Sequence, residues 1–158
     1  MQNKLPKNFR IDSDNIIRDE HGHPRIDNTV YQELVVMKQD NKEMSMTEDR
    51  LYGQSIMSLV EIILNCPKLK FQKDEVKAEC RTNAYIAICE YVPKYFKKNS
   101  GSKAVSYAYR VGYTAMIHVL EKTNKRNEML KKLEESYNEM LGITVEELEE
   151  SMHQVTKN

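Results

Sequence analysis

The segment from Lys103 to Lys122, KAVSYAYRVGYTAMIHVLEK, constrains this chain most, because at helical spacing it divides into two faces of different chemistry. Lys103, Ser106, Tyr107, Arg110, Thr114 and His118 recur at steps of three and four, so a helix gathers them in one stripe. Ala104, Ala108, Val111, Ala115 and Val119 form the opposite stripe and are expected to face a core. An ordinary wet helix face carries Glu and Lys, whereas this one carries donors, cations and a ring that can hydrogen-bond phosphates and stack on bases. Gly112 costs a helix interior about 1 kcal/mol against alanine, which predicts a close neighbour at that position.

Charge supports a nucleic-acid reading locally rather than globally. The 24 basic and 24 acidic residues cancel, so any pull toward a polyanion must come from a patch. Between Lys94 and Lys132 ten cations stand against two anions, and after Leu133 seven glutamates stand against one lysine. Tyr107, Tyr109 and Tyr113, with Tyr91 and Tyr95 nearby, add rings to the basic stretch, and a base stacked on a ring gains about 1 to 3 kcal/mol.

The rest of the chain reads as all-α. Residues 1–26 are polar, contain Pro6 and Pro24, and read as an extended arm or irregular lead-in that the Ile16-Ile17 pair can dock. Asp27 or Asn28 caps a first helix over about 29 to 40, ended by Asp40-Asn41-Lys42. Ser45-Met46-Thr47-Glu48 has the capping-box pattern and opens a second helix to about Asn65, with Leu51, Ile56, Leu59, Val60 and Ile63 inward. Asp74 is expected to cap a third helix, with Val76, Cys80, Ala84, Ala87, Ile88 and Tyr91 on one side and Pro93 ending it near Val92. After a basic turn, Ser102 caps the helix described above, and a further helix is expected from about Asn127 to Met140, closed by Gly142. Thr144 to Glu147 forms a second capping box that opens an acidic C-terminal helix. The domain organisation expected is an arm over 1–26, a helical domain over 27–126 and a helical extension over 127–158.

Several function classes find no residues to support them. His21-Gly22-His23 beside Asp19 and Glu20 lacks the soft ligands that structural zinc prefers, so no metal is expected there. Cys66, Cys80 and Cys89 are odd in number and lack CxxC spacing, which points to reduced thiols. No charged-then-apolar leader is seen, and the run from Ile56 to Leu64 is far shorter than the ~20 residues of a membrane span, so a cytoplasmic protein without membrane contact is expected. No phosphate-binding glycine loop, nucleophile elbow or paired-carboxylate pattern appears, and the chain is read as a non-enzyme without a cofactor.

Residues of about 48 to 126 resemble region 2 of bacterial sigma factors, and more closely the small late-gene sigma factors of large tailed phages. Phe96, Gly101, Lys103, Ser106-Tyr107-Ala108 and Ala115-Met116-Ile117 stand at the intervals where that region carries a phenylalanine, a glycine, a lysine, a [Ser/Thr]-Tyr-Ala and an Ala-Ile. Glu79 through Val92 resembles, with a one-residue shift, the helix that grips the β′ clamp helices of RNA polymerase, with Ala84 and Ala87 in place of glycines.

The resemblance implies a sigma region-2-like bundle that binds bacterial core RNA polymerase and holds the non-template strand of an AT-rich minus-ten-type promoter. It implies phosphate contacts at Lys97, Lys98 and Lys103, a ring at Tyr107 beside the unstacked base, and readout at Arg110, Thr114, Ile117 and His118. Ser106, Tyr109 and Tyr113 complete the expected DNA surface. Glu79, Thr82, Asn83, Tyr85, Ile86, Cys89 and Glu90 would meet the polymerase. Arg110 and Val111 replace the two tryptophans of housekeeping members, so weak strand melting is expected, and no basic recognition helix for a minus-thirty-five element follows residue 126. The phage type also works with a co-activator or a sliding clamp, although Glu149 to Asn158 carries no clear clamp-binding segment. Two readings compete: a helical adaptor, such as a polymerase-binding regulator, that uses residues 74–92 without touching DNA, and a metal- or thiol-dependent enzyme.

Overall fold

A computed structural model describes residues 5–142 and 145–157. It is mostly helical: β1 (Arg10–Ile11) and β2 (Ile17–Arg18) precede α1 (Asn28–Gln39), α2 (Met46–Leu64), α3 (Pro67–Lys70), α4 (Asp74–Tyr95), α5 (Ala104–Met140) and α6 (Val145–Lys157). Two compact units divide the chain, Met1–Val119 and Leu120–Asn158, so the boundary falls inside α5. No described helix is long and apolar enough to cross a membrane.

The first unit is built around α2, whose inward residues are those the spacing predicts: Leu51, Ile56, Leu59, Val60 and Ile63 are all buried. The capping box at its start is complete, with the Ser45 hydroxyl accepting from the Glu48 amide and the Glu48 carboxylate accepting from the Ser45 amide. Asp27 caps α1 by accepting from the Val30 amide at 2.8 Å. Asn41, at φ +51°, turns the chain out of α1.

Residues 10–18 correct the expectation of an extended arm. β1 and β2 pair antiparallel, Arg10 opposite Arg18 and Ile11 opposite Ile17, and the hairpin is fastened to α2 through buried Ile16 and Ile17. Ser58, itself buried, donates to the Gln54 carbonyl and accepts from the Ile17 amide, both at 2.7 Å. Ser58→Ala therefore strands a buried amide, and a loss of about 1 to 3 kcal/mol in urea-monitored stability is expected. Asp12 and Asp19 organise the turns: Asp19 accepts from the His21 and His23 amides and from Arg25, and these bonds, Arg25 first, hold its carboxyl down at about 2.

Three further boundaries differ from the sequence reading. The α3 turn was not expected; Pro67 sits in its first turn and Leu69 is fully buried beneath it. Lys73, not Asp74, is the N-cap of α4, and Asp74 and Glu75 lie in the first turn, where carboxylates meet the positive end of the helix. Pro93 does not end α4: only one amide is missing, the Phe96 amide still bonds the Val92 carbonyl at 2.9 Å, and the helix continues to Tyr95. The buried line of α4 runs Cys80, Ala84, Ile88 and Val92, so Val92 rather than Tyr91 is buried, and Tyr91 is exposed.

α5 runs unbroken where two helices were expected, because no glycine or proline lies between Gly112 and Gly142 to stop it. Its first amide, at Ala104, is taken by the Gln32 side chain of α1 at 3.2 Å rather than by Ser102. Gly142, at φ +67°, ends it as expected. The capping box at Thr144 lies outside the described residues.

The buried line of α5 in the first unit is Ala104, Ala108, Gly112, Met116 and Val119, with Val111 and Ala115 half-buried at its edge. A Cβ at Gly112 would stand 2.7 Å from the Ile63 Cδ1 and 3.0 Å from the Ile88 Cδ1. The missing side chain lets α5 lie against both α2 and α4.

Candidate nucleic-acid interface

The polar stripe of α5 points outward as its spacing predicts. Lys103, Ser106, Arg110, Thr114 and His118 are exposed and Tyr107 is half-buried. Tyr107 is a propped ring: buried Phe96 packs against it at 6.3 Å between centroids with the planes tilted by 40°. The Arg110 guanidinium stands 5.9 Å from the Tyr107 centroid, within cation–π reach. Neither group is fixed by an ion pair among those the described residues make.

Beside this ridge, α4 and α5 enclose a groove of about 470 Å³. Ala87, Val111 and Ala115 form its apolar floor, Tyr91, Tyr95 and Tyr107 its aromatic walls, and Arg110, Thr114 and His118 its polar rim. A floor of small side chains between rings, edged by hydrogen-bonding groups, is the composition of a site for a flat, partly polar ligand. The Tyr91 and Tyr95 rings stack at 6.0 Å, and Lys94 stands 5.4 Å from the Tyr95 centroid. Sequence reasoning had turned Tyr91 inward; the i, i+4 pair of tyrosines around Pro93 was the available signal.

The remaining expected contacts lie in other places. Tyr109 and Tyr113 stack on each other at 6.3 Å, nearly parallel, and helical geometry sets them roughly 200° and 240° around α5 from Tyr107. Burial raises the Tyr109 phenol's pKa, with Cys66 and Tyr113 adding to the effect, which puts this pair on the flank near the α2–α3 junction. The tyrosines thus form two clusters on either side of the ridge instead of one surface. Ile117 is half-buried. Lys103 lines a separate depression with Asn28, Thr29, Gln32 and Glu33 of α1. Lys97 is exposed, and the Lys98 ammonium lies 3.8 Å from Asp40.

The residues expected to meet polymerase share one side of α4. Thr82, Asn83, Ile86 and Glu90 are exposed, with Ile86 at 56%, and Glu79 is half-exposed. The Thr82 hydroxyl and the Asn83 side-chain amide donate back to the Ala78 and Glu79 carbonyls. Tyr85 and Cys89 sit at the margin, half-buried and in contact with each other near Tyr52 and Lys38. Burial pushes the Cys89 thiol up despite the Tyr85 hydrogen bond and Lys38, and it pushes the Cys80 thiol up as well. Both therefore remain thiols at neutral pH.

Among the described residues no group of three or more His, Cys, Asp or Glu could hold a metal ion. No protein-family model matches this chain, and neither a curated protein nor a solved structure is significantly similar to it.

Proposed function

We propose that this protein is a sigma-type specificity factor, which binds bacterial core RNA polymerase and directs it to an AT-rich minus-ten-type promoter element. The observation that carries this reading is the pairing of exposed Arg110 with half-buried Tyr107, propped by Phe96 at the edge of an aromatic-walled groove. A propped ring and a guanidinium bind an unstacked strand without first losing the freedom of two loose side chains. Lys97 and Lys103 meet phosphates, and His118 and Thr114 offer hydrogen bonds to a base edge. The outer side of α4, centred on Ile86, meets the polymerase clamp. With no tryptophan in the chain, the factor holds an opened strand more readily than it opens one.

The adaptor reading draws on one observation, the exposed Ile86 amid Thr82, Asn83 and Glu90, which needs no DNA to be useful. Capture of core polymerase on the immobilised chain, followed by titration of a forked AT-rich duplex over a range of salt, separates the two. A specificity factor gives polymerase-dependent affinity that falls with salt by about 0.7 log units per decade for each single-strand phosphate neutralised. An adaptor captures polymerase and leaves its affinity for the fork unchanged.

A further inference from the structure

The second unit exposes an apolar stripe that the proposed function does not use. Met129, Leu130, Leu133, Tyr137 and Met140 fall on one face of α5, Leu141 continues it just past the helix end, and all six retain between 48% and 76% of their accessibility. They occupy one side of the helix, an arc of roughly 120°. A contiguous apolar face of this size on a solvated helix marks a contact surface.

The charges along the same segment say what fits it. From Lys122 to Lys132 five cations accompany one glutamate, while from Leu133 to Leu141 there are three glutamates and no cation. The last turn of α5 carries no basic residue, so its glutamates face the negative end of the helix dipole uncompensated by their own helix. Such a helix is complementary to a copy of itself only when the copy runs the other way, so that each basic half lies along the other's acidic half. A parallel copy would set like charges side by side.

We propose that this stripe is a self-association surface, on which α5 of a second copy lies antiparallel with the two-fold axis passing near Leu133. Leu133 then meets its own copy at the centre of the seam, Met129 and Leu130 meet Tyr137, and Lys131 and Lys132 lie along Glu135 and Glu134 of the other helix. The apolar seam covers little more than one heptad, so the dimer is a weak, concentration-dependent one. The inference stands apart from the polymerase reading, because its test contains neither polymerase nor nucleic acid.

Sedimentation of the full chain over a hundredfold range of concentration is expected to show a monomer–dimer equilibrium, and rising salt is expected to weaken the dimer. Leu133→Glu and Leu130→Glu each place a charge in the seam and should raise the dissociation constant by roughly tenfold or more with helix content unchanged. Met46→Glu, at an exposed position of α2, should leave the constant where it was. A chain that stays monomeric throughout overturns the proposal, as does a dimer indifferent to both seam variants. A dimer that tightens as salt rises overturns the antiparallel arrangement.

Discussion

Gly112→Leu is expected to lower the stability of the first unit by about 3 kcal/mol, because a side chain at this position has nowhere to go. Ile63 and Ile88 are fully buried on α2 and α4, and their Cδ1 atoms already stand 2.7 and 3.0 Å from where a Cβ would be. Gly112→Ala balances two effects of opposite sign. Alanine gains about 1 kcal/mol of helix propensity, and crowding of the two isoleucines costs about 1 to 3 kcal/mol, so a net loss of about 1 kcal/mol is expected. Ile63→Val removes the nearer methyl and relieves the tighter of the two contacts. In that background Gly112→Ala should become neutral or stabilising, and a double-mutant cycle from urea unfolding reads the coupling directly. Additive effects of the two substitutions would show that α5 can move away from α2, contrary to the packing described.

Tyr107→Ala and Arg110→Ala are each expected to reduce promoter-dependent transcription by roughly 5- to 150-fold, the equivalent of one lost base stack of about 1 to 3 kcal/mol. Capture of core polymerase should be unchanged, since the expected polymerase side of α4 is separate from the groove. Tyr107→Phe keeps the ring and its packing on Phe96, and should retain most activity. Arg110→Lys keeps the charge but not the planar group that lies near the Tyr107 face, and should fall between wild type and Arg110→Ala. Circular dichroism guards against a folding defect, because Tyr107 contributes to packing around Phe96. Loss of polymerase capture with either alanine variant, or full transcription with both, would remove this face from the proposed function.

The parts legible in the sequence were those governed by local rules. The Ser45 capping box, the Asp27 cap, the positive-φ turn at Gly142 and the buried stripe of α2 each follow from a few neighbouring residues. The outward ridge of α5 was legible for the same reason, as spacing alone separates Arg110, Thr114 and His118 from Ala104 and Ala108. What escaped depends on partners far along the chain. The hairpin of residues 10–18 has too few residues to show a period; the Ile16-Ile17 pair docks it as expected, but the Ser58 hydroxyl that receives the Ile17 amide lies 41 positions away. Pro93 was read as a stop because a proline costs an interior bond, yet within the last turn only one amide is missing and the helix carries on. Tyr91 was turned inward by a separate error of phase: the buried line of α4 runs Cys80, Ala84, Ile88 and Val92 at steps of four, which leaves Tyr91 outside as a wall of the groove. The split of the tyrosines into two clusters needed the true rotation of α5 about its axis, which Gly112 sets: its buried line replaces the expected line through Val111 and Ala115.

Both ends of the lysine-bearing turn are tied to α1. The Gln39 side chain donates to the Phe96 carbonyl at 2.5 Å, and the Gln32 side chain accepts from the Ala104 amide at 3.2 Å. Residues 97 to 103 therefore span two fixed anchorage points, and neither α4 nor α5 depends on the length of the intervening chain. Doubling such a span adds only about 0.6 kcal/mol of closure entropy. Insertions there would lengthen the lysine-bearing turn while leaving both helices anchored to α1.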